Sequence, residues 1–299
     1  MQRITAILFI LFLSCIDQIS ACSMYKVTLE GKTMVGNNED AWRTTPHIWF
    51  EASKNSSYGC CFVGSREIGK NKFAAQSGMN EHGMTFSRLT SYHPAQVSKG
   101  KSLKLIENPD LFLMEVMRSC KNVNEVEAML AQYDRTCFLE DVFVYVEPSG
   151  KYLVVEPYKL ISGTDPSYVQ ANYCPSITNE TNRRKLDRYR KGRDLLNREL
   201  DTTWEFCSHV SNEMHVSRDK IGDGTLLTTI WNTRDLQFKL HFYHDYSTAV
   251  SFDLMDELSK GDHQLEIKTL FPENEEFVQL SNYITPFNTP WLRILIALA

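Results

Sequence analysis

The chain lacks the features that mark membrane-spanning, metal-binding and nucleic-acid-binding proteins. Beyond its first residues, no stretch approaches the roughly 20 apolar residues that cross a bilayer. Its eight cysteines and eight histidines form no CxxC or HxxxH spacing, so we predict no metal site and no other cofactor. The 32 basic and 37 acidic residues give a net charge of −5, which argues against nucleic acid as a partner.

Repeats, low-complexity tracts and long linkers are also missing, and their absence favours a single folded unit. By size alone, a chain of 299 residues forms one large domain or two small ones. Since nothing in the sequence divides it, we predict one domain over residues 22–299. No pattern in the sequence indicates an oligomeric state.

Residues 1–21 are typical of a secretory signal. Arg3 precedes an apolar run over residues 4–13, and Ile19-Ser20-Ala21 precedes a cleavage position. We therefore predict export to the periplasm or the cell exterior, with cleavage between Ala21 and Cys22. The segment ending at Cys22 also resembles a bacterial lipobox, in which the same thiol would carry lipid and anchor the protein to a membrane.

Cleavage before Cys22 would give one residue both a thiol and a free α-amine. Such a residue holds a nucleophile together with its own general base. Removing the signal, which contains Cys15, leaves seven cysteines, and an odd number in an exported protein leaves at least one unpaired. We expect a free Cys22 with some or all of the other six in disulfides. Six cysteines allow 15 connectivities, and the spacings select none of them.

The segment after Cys22 predicts a β-hairpin that returns two acidic residues to the new N-terminus. A glycine-containing three-residue loop at residues 30–32 would place Asp40 opposite Cys22. A two-residue loop would instead place Glu39 opposite Cys22 and turn Asp40 to the other face of the sheet. In either register a carboxylate lies beside the N-terminus, where it can orient an α-amine or α-ammonium.

The remaining pattern alternates strands with a few helices. Asn108-Pro109 predicts the start of one helix, and Asn122 with Glu125 resembles the capping box of a second. A third helix is predicted over residues 180–200, and the apolar tail 291–299 is expected to dock as a helix or strand. Further strands are predicted over residues 73–77 and 84–86, joined by a turn at 78–83, and over 142–146, 152–155, 225–232 and 236–242. This order indicates an α+β fold with antiparallel sheets.

Four short motifs follow one another along the chain. The first begins at Cys22-Ser23 and ends at Gly36-Asn37-Asn38-Glu39-Asp40, so that Asp40 lies 18 positions after Cys22. The aromatic Trp42 follows. The other three are Gly78-Met79-Asn80-Glu81-His82-Gly83-Met84, Ala171-Asn172-Tyr173 and Arg188-Tyr189. In this order they resemble the linear-amide branch of the N-terminal-nucleophile (Ntn) hydrolases, which includes bile-salt (choloylglycine) hydrolase, penicillin V acylase, acid ceramidase and the fungal penicillin acyltransferase. The resemblance runs from Cys22 to about Trp231 and implies a four-layer αββα sandwich of two mainly antiparallel sheets.

The resemblance also implies a catalytic role for four of these residues. Cys22 would be the nucleophile and, through its α-amine, the general base, while Asp40 would orient that amine. Asn172 would donate a side-chain N–H to the oxyanion, with a backbone N–H as the second donor. Arg188 would be a structural or substrate-facing arginine.

Two asparagines of the motifs, Asn37 and Asn80, are expected to contact substrate. At the position of Asn37 the bile-salt and ceramide branches carry arginine, whereas the acyltransferase branch has a neutral amide, as this chain does. This difference weakens a bile-salt assignment, because the cation beside the thiol is absent from that position.

The implied activity is cleavage of a linear, non-peptide amide through an acyl group carried on Cys22. The partner would be a small molecule such as an N-acyl amino acid or a related acyl amide. Transfer of the acyl group to water makes the protein an exported cysteine amidase, and transfer to an amine makes it an acyltransferase. We favour hydrolysis, since export places the protein in water and no acyl-CoA-binding signal is visible. A hypothesis from another class is an inactive lipoprotein, lipidated on Cys22, that binds a ligand.

Overall fold

The chain folds around two antiparallel β-sheets. The structure is a computed structural model that describes residues 22–40, 45–66, 73–96, 103–217 and 224–283. The six-stranded sheet has the order β10-β1-β2-β11-β12-β13, with β1 Ser23–Leu29, β2 Lys32–Asp40, β10 Ser167–Gln170, β11 Thr225–Asn232, β12 Gln237–Phe242 and β13 Asp245–Asp253. The eight-stranded sheet has the order β14-β3-β4-β5-β6-β7-β8-β9, with β3 Pro46–Glu51, β4 Cys60–Arg66, β5 Phe73–Asn80, β6 Thr85–Thr90, β7 Asp141–Val146, β8 Tyr152–Val155, β9 Leu160–Gly163 and β14 His263–Glu266.

Seven α-helices lie within the described residues. They are α1 Pro109–Ser119, α2 Val123–Leu130, α3 Glu180–Arg183, α4 Asp187–Arg198, α5 Trp204–Met214, α6 Leu254–Ser259 and α7 Glu275–Tyr283. None of the helices in this part of the chain combines the length and the apolar character needed to span a membrane.

Each sheet has one face against the other sheet and one face against helices. Side chains from both sheets, among them Met24, Val63 and Trp231, meet in an inter-sheet core. Helices α1 and α2 pack on the outer face of the eight-stranded sheet, and α4 and α5 pack on the outer face of the six-stranded sheet. The predicted four-layer αββα sandwich is therefore confirmed.

The β1–β2 hairpin decides which residues share a face with Cys22. The connecting Glu30 and Gly31 both have positive φ angles, 51° and 73°, as a two-residue type I′ turn requires. The two-residue register is therefore correct, and the three-residue register is wrong. Continued by one position, the observed register places Cys22 across from Glu39 and sends the Asp40 side chain to the opposite face of the sheet.

Local sequence signals account for the first two helices and for two of the hairpins. The side chain of Asn108 caps α1, and that of Asn122 caps α2, each by accepting a backbone N–H of the first turn. The hairpins predicted within residues 142–155 and 225–242 are also confirmed. These elements form where propensity, capping and hydrophobic alternation agree.

Two expectations about elements are corrected, and one helix was not predicted. The helix predicted over residues 180–200 is interrupted, because Leu186 is extended (φ −84°, ψ 110°) and packs against the cluster beneath α4 and α5. The strand expected to end at residue 77 continues to Asn80. Helix α5 was not predicted because it is rich in weak helix formers, and it is held by packing of Cys207, Val210 and Met214 against the six-stranded sheet.

Three predicted features lie outside the described residues. They are the signal segment 1–21, the aromatic Trp42 and the tail 291–299.

Candidate active site

Cys22 immediately precedes β1 and packs into the inter-sheet core. The residue is 4 % exposed and shares this core with Met24. Burial raises the pKa of the Cys22 thiol to about 12, and the nearby carboxylates of Asp40 and Glu39 act in the same direction. A Cys22 thiol without a base would therefore stay protonated near neutral pH.

The same acidic surroundings favour a positive charge at this position. Asp40 and Glu39 are both buried, with 5 % and 4 % of their surface exposed, and both act on the ionisation of Cys22. A carboxylate that disfavours a thiolate stabilises an ammonium at the same place. The site is thus better suited to an α-ammonium on Cys22 than to a preformed thiolate.

Asp40 is fixed at the end of β2 by contacts with β11 and with Cys22. Thr225 donates its hydroxyl to Asp40 Oδ1 at 2.5 Å and accepts the backbone N–H of Val216 at 2.9 Å. The backbone N–H of Asp40 donates to the Cys22 sulfur, a contact that lowers the thiol pKa against the effect of burial. Sequence reasoning missed Thr225, since a strand threonine carries no signal. Its position depends on an irregularity in the β11–β2 pairing between Thr225 and Leu227.

Arg188 is hydrogen-bonded to Asn172 and acts by its charge on Cys22. Asn172 follows β10, and its Nδ2 donates to the backbone carbonyl of Thr90 at 2.7 Å. Arg188, in the first turn of α4, donates from Nη2 to Asn172 Oδ1 at 2.5 Å, and its charge lowers the pKa of the Cys22 thiol. Because an amide nitrogen carries two hydrogens, one Asn172 N–H remains for a substrate oxygen.

The charge of Arg188 therefore acts on the Cys22 thiol even though residue 37 is neutral. The family resemblance indicated that this chain lacks a cation at position 37 on β2, where it has Asn37. In the structure, Arg188 on α4 supplies a positive charge instead. The order of motifs identified Arg188, but its proximity to the thiol follows only from the packing of α4 on the six-stranded sheet.

Asn37 and Asn80 have different surroundings. Asn37 is buried opposite Met24 on the inter-sheet face of β2, and its Oδ1 has no hydrogen-bond partner among the described residues. Asn80 lies on the outer, helix-covered face of the eight-stranded sheet. Its Nδ2 donates to the carbonyls of Met117 and Cys120, and its Oδ1 accepts two backbone N–H groups. The Asn80 side chain thus fastens the turn after β5 to α1, and its expected contact with substrate stays a prediction.

The cysteines in the described part of the chain are all free thiols: Cys22, Cys60, Cys61, Cys120, Cys137, Cys174 and Cys207. The expectation that some of these pair in disulfides is wrong for this structure. Cys60 and Cys61 are consecutive on β4, so their side chains point to opposite faces, into the helix-side cluster and the inter-sheet core. Within the described ranges, no three His, Cys, Asp or Glu residues are arranged to hold a metal ion.

Solved structures that are similar to this chain have the same architecture. Two crystal structures of variants of conjugated bile acid hydrolase from Clostridium perfringens match with a TM-score of 0.58, at 15% and 16% identity, over 85% of this chain and 97% of that chain. Penicillin V acylase from Agrobacterium tumefaciens matches with a TM-score of 0.60 at 12% identity, over 82% of this chain and 91% of that chain. No family model and no curated protein matches the sequence. At these identities the similarity establishes the fold, which is the one that the Ntn-hydrolase resemblance predicted.

Proposed function

We propose that this chain is an exported cysteine amidase that hydrolyses the linear amide of a small N-acyl compound through an acyl group on Cys22. The observation that carries the proposal is the position of Cys22 beside two buried carboxylates, Asp40 and Glu39. They disfavour a thiolate and favour an α-ammonium, as a residue that is both nucleophile and base requires. Similar folds belong to proteins named as a hydrolase and an acylase, which supports the same class of reaction.

The reaction begins once removal of residues 1–21 frees the α-amine of Cys22. Thiols and α-amines have similar ordinary pKa values, about 8.5 and about 8. Burial raises the pKa of the Cys22 thiol to about 12, so transfer of its proton to the amine depends on Asp40 and Glu39, which stabilise the ammonium. The thiolate attacks the amide carbonyl, a C–S bond forms, and the oxyanion accepts the remaining Asn172 N–H. Losing one such donor typically costs about 3 kcal/mol.

The tetrahedral intermediate then breaks down in the direction of the leaving amine. The ammonium gives its proton to the leaving nitrogen, the C–N bond breaks, and the acyl group stays on Cys22. The α-amine next takes a proton from water as its oxygen attacks the thioester carbonyl. The C–S bond then breaks, a carboxylic acid leaves, and the ammonium returns the proton to the Cys22 sulfur. Arg188 holds Asn172 in place through its Oδ1, and Asn37 Oδ1 offers an acceptor to a polar group of the substrate.

An acyltransferase that uses an amine in place of water is the second candidate. The neutral amide at Asn37, shared with the acyltransferase branch, is the observation in its favour. The two are separated by incubating the processed protein and an N-acyl amide with an added amine. A hydrolase releases the carboxylic acid as the main product, whereas an acyltransferase releases the new amide.

The proposal is tested by mass and by turnover. The intact mass of the exported protein should correspond to a chain that begins at unmodified Cys22, and a diacyl adduct on Cys22 would instead support the lipoprotein hypothesis.

On a panel of N-acyl amino acids, phenoxyacetyl amides and bile-acid conjugates, Cys22→Ala should abolish turnover and Cys22→Ser should leave a slow enzyme at best. Cys61→Ala, at another cysteine of the same core, is the matched control and should stay active. Turnover retained by Cys22→Ala removes the proposal.

A further inference from the structure

A second cluster of polar side chains is formed by His93, Glu156 and Cys174 and is not used by the reaction above. Its Cys174 lies two residues after Asn172 in the chain. His93 Nε2 lies 3.2 Å from Glu156 Oε1, and His93 Nδ1 lies 3.3 Å from the backbone carbonyl of Leu139. The side chains of His93 and Glu156 are 4 % and 1 % exposed. A histidine with an acceptor at each ring nitrogen satisfies both only when it carries two protons.

The contacts make His93 and Glu156 a buried ion pair. Burial opposes the charge on His93, but hydrogen bonds with Cys174 and Glu156 outweigh it and raise its pKa to about 10. Burial also opposes the charge on Glu156, and hydrogen bonds from His93 and Ser176 outweigh it and lower the pKa of that carboxyl. In some proteins buried pairs of this kind fix a conformation rather than add stability.

The cluster joins the two segments that hold the Asn172 amide. Thr90, whose carbonyl accepts Asn172 Nδ2, is followed in the chain by Ser91 and Tyr92. Cys174, two residues after Asn172, lies 3.2 Å from the Ser91 hydroxyl and donates to the Tyr92 carbonyl at 3.1 Å. Thr90 ends a strand of the eight-stranded sheet, whereas Asn172 follows an edge strand of the six-stranded sheet. These bonds therefore tie the two sheets together beside Asn172.

Glu156 closes the same connection at its far end. It pairs with His93 on one segment and accepts the backbone N–H of Ser176 on the other at 3.1 Å. Residues 90–93 and 172–176 are thus held by a continuous row of hydrogen bonds, with Asn172 at one end and the ion pair at the other.

We propose that His93, Glu156 and Cys174 are positioning residues that keep the Asn172 amide directed at the substrate oxygen on Cys22. The catalytic part of this inference rests on the proposed function. Loss of the ion pair frees one end of the row, so that residues 172–176 move and the donor shifts. A displacement of about 1 Å in such a group can lower the rate about 100-fold.

The chain offers a matched control in a second histidine–glutamate pair. His263 Nε2 lies 3.0 Å from Glu257 Oε2, at the contact of α6 with β14, and among the described residues no hydrogen bond of that pair leads to Asn172. In backbone hydrogen exchange, Glu156→Gln should make residues 171–176 exchange at least about tenfold faster, whereas Glu257→Gln should leave this segment unchanged. Unchanged exchange of the segment in folded Glu156→Gln overturns the inference.

Kinetics separate positioning from a general loss of stability. Glu156→Gln should lower kcat about 10- to 100-fold while KM stays within about twofold, and Glu156→Asp, which keeps the charge, should recover part of the loss. A rise in KM with kcat unchanged overturns the catalytic part.

If the wild-type protein turns over no amide of the panel, the proposed function fails, while the exchange comparison still decides whether the cluster holds the Asn172 segment. Should Glu156→Gln not fold, Cys174→Ala removes the contacts with Ser91 and Tyr92, keeps the ion pair, and is judged by the same exchange measurement.

Discussion

The carboxylates around Cys22 affect its two ionisable groups in opposite ways. They raise the pKa of the thiol, which by itself makes Cys22 a poor nucleophile. They also stabilise a proton on the α-amine once that amine is free. Under the proposed function, in which the thiol and the amine act together, the second effect offsets the first.

Replacing the two acids separately shows which one is the partner of the amine. Asp40→Asn should lower kcat at least about tenfold, because the ammonium loses an anion that Thr225 and the Cys22 contact hold in place. The acid limb of the kcat/KM profile should also move to lower pH, because an ammonium without its anion loses its proton more easily. Glu39→Gln should have the smaller effect. A larger loss in Glu39→Gln would assign the role to Glu39, the residue across from Cys22 in the observed register.

For single residues, the sequence predicted which of them belong to the candidate site better than it predicted their contacts. Cys22, Asp40, Asn172 and Arg188 were identified from the order of their motifs, and hydrogen bonds or charge effects link them in the structure; their catalytic roles remain predictions. The bonds that Asn80 makes to α1 were not foreseen, because a turn motif does not show which face its side chain takes. The cluster of residues 93, 156 and 174 was missed, since these positions are far apart in the sequence.

Among the elements, the β1–β2 hairpin matters most, since it positions Asn37, Glu39 and Asp40 relative to Cys22. Its register depends on one tight turn and on the packing of Tyr25, which lies across from Gly36. A Cβ added at Gly36 would lie 2.2 Å from the Tyr25 ring. That ring is buried, and its hydroxyl donates to the Cys207 carbonyl at 2.5 Å, so it cannot move aside easily.

Two glycine variants of this hairpin should differ in stability. Gly36→Ala should lower the free energy of unfolding by about 2 kcal/mol through overpacking, and it should also lower kcat by displacing β2. Gly31→Ala meets no atom within 4 Å and suffers only the strain of a positive φ of 73°, which costs about 1 kcal/mol. Urea unfolding of both variants gives the comparison. A Gly31→Ala variant less stable than Gly36→Ala would contradict this account of the hairpin.

The success of prediction at the level of elements depended on local signals. The capped helices α1 and α2 and the alternating hairpins followed from nearby residues alone. The turn length did not, because residues 30–32 allow either a two-residue or a three-residue loop. The formation of α5 did not, because it depends on packing against the six-stranded sheet.

At the scale of the whole molecule, the contacts that tie the two sheets together beside Asn172 include one that depends on pH, the His93–Glu156 pair. The pKa of His93 is raised from 6.5 to about 10. Its contribution to stability is therefore complete below about pH 6.5 and is lost as the pH rises towards 10. The groups that face it are the Glu156 carboxylate and the Cys174 thiol, with the Arg135 guanidinium bonded to the Glu156 backbone carbonyl.

A comparison of unfolding temperatures at pH 6.5 and pH 10 isolates this contribution. Other groups titrate in this range in both proteins, so the informative quantity is the difference between the wild type and His93→Gln. The wild type should be the more stable at pH 6.5, and the two unfolding temperatures should converge towards pH 10. A constant difference at all pH values would show that protonated His93 does not stabilise the fold.

The overall architecture was predictable because the motif order implied one fold and the hydrophobic pattern agreed with it. The similar solved structures confirm that fold. Contacts between layers were not predictable, and they decide which residues reach Cys22.

The central claim is that Cys22 acts through its own free α-amine, and a single added residue tests it most directly. Two proteins are compared, one beginning at Cys22 and one keeping Ala21 in front of it, so that the thiol is the same and only the amine is blocked. The account predicts that the first turns over an N-acyl amide and that the second, although folded, loses this activity by at least about 100-fold. Equal kcat for the two proteins would contradict the account.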